Sequence, residues 1–343
     1  MKREITLRDI GKQLGLSAMT VSLALRDSAR ISEATKRRVR EAVRGMNFVP
    51  NQLARALATG RSNLIGVIVP NSSDLYYAEV IRAIEDAASA VQYHVLLCNG
   101  SYRMQTYTER VRDMRRLHMK GIIAAPPFTA DRPRLPQFWK DLIHSDFEVV
   151  LINRQLDPPV FHQVAADYMA GVAMVAQALA ERGHRRVAYI SADPEVLPFR
   201  QRLEVFRQCV RDCGFEQDDA LFERGELTAA GGYEACRRLW KANRRKPTAI
   251  VASNDTSAVG VLRCLDELGV RVPDDVSIAS FDGTPFADFM HCSLTTVVTP
   301  MYEIGRQAFQ TLLEAMSGRL PEPRSLILPV HLRLRESIGP APR

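Results

Sequence analysis

Cysteine is scarce in this chain and poorly placed for joint chemistry. The 343 residues include six Cys, at 98, 209, 213, 236, 264 and 292. None forms a CxxC pair, and Cys209 and Cys213, one helical turn apart, lack further ligands nearby. They read as buried reduced thiols, not as a metal or redox centre. Long apolar runs are missing too. No stretch of 18 uncharged apolar residues occurs, so no membrane span is expected. The opening "MKREITLRDIGKQLG" has charges but no apolar core of a signal peptide, so a cytoplasmic location is expected. GxGxxG after a strand, GxxxxGK[ST], HExxH and GxSxG are all absent. The seven His are scattered without metal spacing, and His184 in "RGHRRVAYI" reads as part of a turn before a strand. No catalytic residue, metal site or cofactor is therefore expected.

What is present is an ordinary globular composition with an uneven charge. Apolar residues make up 46% and charged residues 25%, enough to bury a sizeable core in two or three domains. Residues 1–61 hold 13 Lys+Arg against 5 Asp+Glu, whereas the remainder holds 33 against 34. The excess positive charge thus lies in the first sixth of the chain. A small basic module on a near-neutral body is the electrostatic footprint of nucleic-acid binding.

That module has a helical pattern. Thr6-Leu7-Arg8-Asp9 is a capping-box signature, followed by Ile10 and Leu14 on one face. Gly15 supplies a turn. Ser17 can cap a second short helix, whose Val21, Ala24 and Leu25 form an inward stripe. Ser32 can cap a third, "SEATKRRVREAVRGM", with Ala34, Val39, Ala42, Val43 and Met46 inward. Two short helices about a Gly turn, braced by a third, make a helix-turn-helix, whose second helix enters the major groove. Its outward face would carry Ala18, Met19, Ser22, Leu23 and Arg26. Apolar side chains there can meet thymine methyls, and Ser17, Thr20 and Ser22 can bond phosphates or base edges. Arg26, Arg30 and the bases of the third helix are candidates for phosphate contacts. A bundle that docks another protein is the competing reading. In "NFVPNQLARALATGRSN", Pro50 stops the third helix and can start a new one with Asn51 near its N-terminus. Gln52 to Ala58 suits a helix too short to stand alone, or a linker.

The run "TLRDIGKQLGLSAMTVSLAL…RISEATKRRVREAVRGMNFVPNQLARALATGRSNLIGVIVP" resembles the N-terminal region of the LacI family of bacterial transcriptional regulators (lactose-repressor and purine-repressor-like). The likeness is dense over residues 5–70 and looser to about residue 337. It implies that "PNQLARAL" is a hinge helix that pairs with its counterpart in the minor groove. Leu57 falls on the family's intercalating leucine and Ala54 on its companion. An apolar wedge that kinks DNA explains a Leu in a basic linker, and a helix that folds only on DNA can be switched. Thr6, Ser32, Asn51 and Arg55 complete the residues expected at the DNA.

The body alternates apolar runs with helical periods. "LIGVIV", "HVLLC", "GIIAAP" and "VVLIN" read as buried parallel strands, and "VAYIS", "TAIVAS" and "VSIASF" as a second series with helices at 199–213, 230–243 and 256–269. Two such series predict two doubly wound α/β lobes with ligand at the strand carboxyl ends, in the cleft between them. The body resembles the two-lobed periplasmic-binding-protein-like core that carries the family's effector site. The expected plan is a helix-turn-helix domain at 1–49, hinge helix and linker at 50–63, core at 64–337 and a tail at 338–343. The first lobe would take about 64–164 plus about 297–323, and the second about 165–296 plus about 324–337.

In the first lobe the resemblance points to Tyr76 and Tyr77 in "VPNSSDLYYAEV", although either could simply pack under the helix start. Asn99 and Asn153-Arg154 follow strands and face the cleft. In the second lobe "PFRQRLEVF" places Arg202 on the family's effector-bonding arginine, with Phe199 nearby. Asn254, Asp255 and Asp282 also follow strands, and Asp255 could instead cap its helix. Guanidinium, amide and carboxylate groups among aromatics suit a polyhydroxylated effector, sugar-like. Three departures stand out. Leu23 replaces an Arg common at the end of the recognition helix, Val205 a Gly of the arginine motif, and Gly283 the second Asp of "FDD". No leucine-heptad segment follows "LRLRESIGPAPR", which favours a homodimer. The function expected is an effector-controlled repressor on double-stranded, near-palindromic operator DNA. A solute-binding protein is the alternative, disfavoured by the basic helix-turn-helix.

Overall fold

The computed structural model describes residues 5–25, 27–46, 62–128 and 135–342. The chain divides into two compact units, Met1–Ser62 and Asn63–Arg343.

In the first unit, α1 (Leu7–Leu14) starts on a full capping box between Thr6 and Asp9 and stops at Gly15, whose φ of 68° is left-handed. Gly11 makes the turn possible: a Cβ there would sit 2.5 Å from the Leu16 carbonyl oxygen. Helix α2 (Ala18–Leu25) is capped by Ser17, which accepts from the Thr20 amide at 3.0 Å, and α3 (Glu33–Gly45) by Ser32. Ile10, Val21, Ala24, Val39 and Ala42 are buried together, with Leu14, Leu25, Val43 and Met46 packed on them. Ala34, expected inside, is exposed, and Lys36 is buried instead. Ala34 stands five residues before Val39, well round the helix from the Lys36–Val39–Ala42 stripe.

The second unit holds two six-stranded sheets, ordered β11-β5-β4-β3-β1-β2 and β12-β10-β9-β8-β6-β7. The first combines β1 (Leu64–Val69), β2 (His94–Asn99), β3 (Gly121–Ala124), β4 (Glu148–Ile152), β5 (His162–Ala166) and β11 (Ser325–Leu328), all parallel. Helices α4 (Leu75–Ala90), α5 (Met104–Arg116), α6 (Gln137–Ile143) and α11 (Met301–Met316) belong to it. The second combines β6 (Val187–Ser191), β7 (Phe222–Arg224), β8 (Ala249–Ala252), β9 (Ser277–Asp282), β10 (Thr295–Val298) and β12 (His331–Arg333), with β12 antiparallel to β10. Its helices are α7 (Tyr168–Glu181), α8 (Leu197–Asp212), α9 (Ala229–Ala242) and α10 (Asp255–Glu267). Glycine sets the α9–α10 approach, since a Cβ on Gly260 would lie 1.8 Å from the Ala229 carbonyl oxygen.

The chain passes between lobes three times: after β5, after β10 and after β11. This corrects the expected boundary at about 324, because β11 pairs with β5 in the first sheet and only β12 belongs to the second. The residues past 337 are no loose tail as far as they are described. Ile338 is buried, the Gly339 amide donates to Ser277 Oγ at 3.0 Å, and the Ala341 amide donates to the Arg182 carbonyl at 2.8 Å.

Candidate functional site

Helix α2 contains no charged residue, and its Met19 is 69% exposed. Ala18, Thr20, Ser22 and Leu23 are half-buried beside it. Met19 is the one large apolar side chain of this helix that stands exposed among the described residues. The hydroxyls flanking it are partly committed to caps. Thr6 donates to Asp9 Oδ2 at 2.6 Å, Ser17 Oγ lies 2.8 Å from Thr20 Oγ1, and Ser32 accepts from the Thr35 amide at 3.3 Å.

The bases around the helix fall into two sets. Asp27, left-handed at φ 56°, is held by Arg40 at 2.9 Å and Lys36 at 3.1 Å, and Lys36 also meets Glu33 at 2.7 Å. The hydrogen bond to Glu33, then that to Asp27, raises the Lys36 ammonium, and Lys36 in turn lowers the Asp27 carboxyl. These bases lock α3 onto the end of α2. Arg8, Lys12, Arg30, Arg37 and Arg44 form no ion pair among the described residues. Arg26, Asn51, Ala54, Arg55 and Leu57, and the expected hinge apart from residues 62–63, lie outside the described residues.

In the second unit, a cluster forms where the two lobes meet. Tyr76, at the start of α4, donates to Asn153 Oδ1 at 2.8 Å. Its hydroxyl also neighbours that of Tyr168, which opens α7. The Arg202 guanidinium, from α8, lies 3.6 Å from the centre of the Tyr168 ring and 5.2 Å from that of Phe281. Its Nη1 donates to the Ser253 carbonyl at 3.2 Å, whereas its Nε has no partner. Thr299 Oγ1 is likewise buried, with the Tyr168 hydroxyl as a polar neighbour but no well-formed hydrogen bond. Asp282, 7% exposed at the end of β9 with φ 110°, receives no side-chain hydrogen bond from the described residues. Burial, then Asp255 and Asp74, push its carboxyl well above the ordinary range, against the pull of Arg202. Burial raises the Tyr168 phenol to about 12. Unpaired buried polar groups are costly, and these converge at one place between the lobes.

Next to this cluster opens a cavity of about 1210 Å³, lined from the first lobe by Asp74, Leu75 and Tyr102, and from the second by Phe199, Leu227 and Phe286. Of the residues expected to bind effector, Phe199 alone lines it among the described residues. The others lie behind or beside it, and several are occupied. Asn99 is exposed and its Oδ1 accepts from the Ser72 amide at 2.7 Å, fixing the loop before α4. Tyr77 is buried and packs edge-on against Tyr76, with centroids 5.1 Å apart. Arg154 is buried and donates to the carbonyls of Ala125, Pro126 and Asn153. Asn254 is the N-cap of α10, accepting from Ser257 at 2.9 Å.

Asp255 follows that cap and is fully buried. It accepts from Ser280 at 2.5 Å, Thr296 at 2.7 Å, and the Thr284 amide and hydroxyl at 2.7 Å each. Four donors saturate it, so it ties the ends of β9 and β10 to α10. Tyr168 and Thr299 join the cluster without having been foreseen. Both follow the carboxyl ends of strands, β5 and β10, and the rule that singled out Asn99 and Asn153 reaches them too once those strands are known.

Residues 6–51 match the family described as bacterial regulatory proteins, lacI family, and residues 176–338 match the periplasmic binding protein-like domain. The HTH-type transcriptional repressor CytR of Escherichia coli (strain K12) is 30% identical over 341 residues, covering 98% of this chain and 97% of that one. The solved complex of the transcriptional regulator CelR with cellobiose is 27% identical, covers 97% of this chain and 100% of the other, and has a TM-score of 0.72. The lac repressor dimer bound to operator and the anti-inducer ONPF shares the fold at a TM-score of 0.88, with 22% identity, 98% of this chain and all of that chain covered. Among the described residues no helix is long and apolar enough to cross a membrane. The chain belongs to the lacI family of bacterial regulatory proteins and is a DNA-binding transcriptional regulator.

Proposed function

We propose that two copies of this chain repress transcription from a near-palindromic operator, in the cytoplasm and at the nucleoid while DNA-bound, and that a sugar or sugar derivative in the interlobe cleft sets occupancy. One α2 would enter each half-site, with Met19, Ala18 and Leu23 toward base edges and the unpaired arginines on phosphates. Paired hinges would wedge Leu57 at the operator centre, with Ala54 beside it and Asn51 and Arg55 on the backbone. The observation that carries effector control is the convergence of Arg202 Nε, Thr299 Oγ1 and Asp282, three buried groups with no well-formed side-chain hydrogen bond among the described residues. A ligand hydroxyl can donate to the carboxylate and accept from the guanidinium at once. The sugar found in the CelR complex fits this chemistry.

The coupling required is modest, about 1–3 kcal/mol. Thermal-shift screening of sugars, sugar acids and nucleobases tests the reading. Saturating ligand at about 100 times its dissociation constant stabilises by about 2.7 kcal/mol, and Arg202→Ala should erase the shift while the unliganded melting curve keeps its cooperativity. A shift unchanged in Arg202→Ala would move the effector elsewhere.

A further inference from the structure

We infer that the effector carries no negative charge: the cleft admits neutral or amine-bearing saccharides and rejects phosphorylated and carboxylated ones. This rests on the reading of the cleft as a saccharide site and narrows it.

The wall of the cavity is the first argument. Five carboxylates line it, Asp74, Asp193, Glu223, Glu226 and Glu234, against two guanidiniums, Arg224 and Arg238. Both arginines are already committed, Arg224 to Asp193 at 2.9 Å and Arg238 to Glu223 at 2.9 Å. Glu234 meets Arg237 at 3.4 Å, while Glu226 forms no ion pair among the described residues. Asp74 spends one oxygen capping α4, accepting from the Tyr76 amide at 3.0 Å. The lining thus carries more negative than positive charge, and a concave wall focuses that excess on whatever enters, so an anion meets repulsion there.

The cluster beside the cavity is the second argument and is independent of the wall. The Arg202 guanidinium lies over aromatic faces, not against a carboxylate within 4.0 Å, and its Nε is buried and unpaired. Alone it would welcome an anion. Asp282 belongs to the same buried cluster, however, where Asp255, Asp74 and Arg202 all act on its carboxyl. A phosphate or carboxylate oxygen accepting from Arg202 would bring a further negative charge beside these acids, and an acceptor cannot satisfy Asp282 while it is ionised. A hydroxyl satisfies both sides, and an ammonium satisfies the carboxylates. Like charges brought together on binding cost several kcal/mol, so discrimination of at least about tenfold is expected.

The test titrates the full chain, by calorimetry or thermal shift, with matched series at constant ionic strength. One series is glucose, glucosamine, glucose 6-phosphate and glucuronate; the other is ribose and ribose 5-phosphate. Binding of a neutral or amine-bearing member with its anionic counterpart at least about tenfold weaker supports the inference. An anionic member that binds as tightly as its neutral parent, or more tightly, overturns it while leaving the cleft as a saccharide site. Silence of every member at millimolar concentration counts against the inference and the saccharide reading together. Asp282→Asn separates charge from shape: it should weaken the neutral ligand and narrow the gap to the anionic one. Glu226→Gln, on the exposed wall, should narrow the gap without weakening the neutral ligand, and no narrowing in either variant would sink the electrostatic account.

Discussion

Asp255 and Asp282 follow neighbouring strands, yet the structure gives them opposite states. Four donors surround Asp255, and none among the described residues reaches the Asp282 side chain. Removing the first carboxylate would orphan Ser280, Thr284 and Thr296, so Asp255→Ala should cost about 3 kcal/mol or more in urea unfolding. Removing the second relieves a strained acid, and Asp282→Ala should lose ligand while costing far less stability. Equal losses in both variants would contradict this division. Sequence reading could not separate the two, since each is an acid after a buried strand. The cap position decides, and it falls one residue earlier, on Asn254, where the backbone is extended at φ −157°. His184 carries a pH prediction. Its Nε2 lies 3.1 Å from the Gly339 carbonyl and can only donate there, so Nδ1, 3.0 Å from Thr248 Oγ1, accepts when the ring is neutral. Burial holds this imidazole below its ordinary value of 6.5. The unfolded chain therefore binds the proton first, and stability is full above about pH 6.5 and falls as pH drops through the folded value. Melting at pH 7.5 and 5.5 should show a larger drop in the wild type than in His184→Gln.

The elements divide by how strongly their sequence marks them. Helix α1 is written twice over, in the Thr6–Asp9 box and in Gly15, and forms where expected. The strands β1, β3, β6, β8 and β9 are short apolar runs buried on both faces, which only a central parallel strand explains. By contrast β5 (HQVAA), β7 (FER), β11 (SLIL) and β12 (HLR) are short, polar or at sheet edges. Their identity comes from the partner strand, not from their own period, and so Tyr168, which follows β5, was out of reach. The turn between α1 and α2 was read from Gly15, whereas the tighter restriction is at Gly11. Gly11→Ala should lower the melting point of the helix-turn-helix and weaken DNA binding, by about 1–3 kcal/mol, with ligand binding by the core unchanged in calorimetry. Met19→Ala belongs to the same element but keeps the helix. Binding-site selection should then return a relaxed preference at one position of each half-site, each lost contact being worth about 1–3 kcal/mol. An unchanged preference would remove Met19 from the readout.

At the scale of the molecule, charge and chemistry are segregated. The excess of basic residues lies in the first 61, and the converging unpaired groups lie in the core. The two should therefore fail separately. Leu57→Ala should reduce specific DNA affinity and leave ligand binding intact, whereas Arg202→Ala should leave specific DNA affinity and abolish its response to ligand. The overall plan was legible because the helix-turn-helix signature is dense over the first residues and the βα alternation recurs along the body. The lobe boundary was not, since the three passages between lobes are set by which sheet accepts β11 and β12, a tertiary choice. The central claim is that this chain selects a DNA sequence and that a small molecule in its core changes that selection. The most direct measurement incubates the full chain with fragmented genomic DNA, with and without the sugar that stabilises it, and sequences what is bound. The account predicts one enriched near-palindromic motif whose recovery changes with the sugar. Recovery of DNA without any enriched motif, under both conditions, would contradict it.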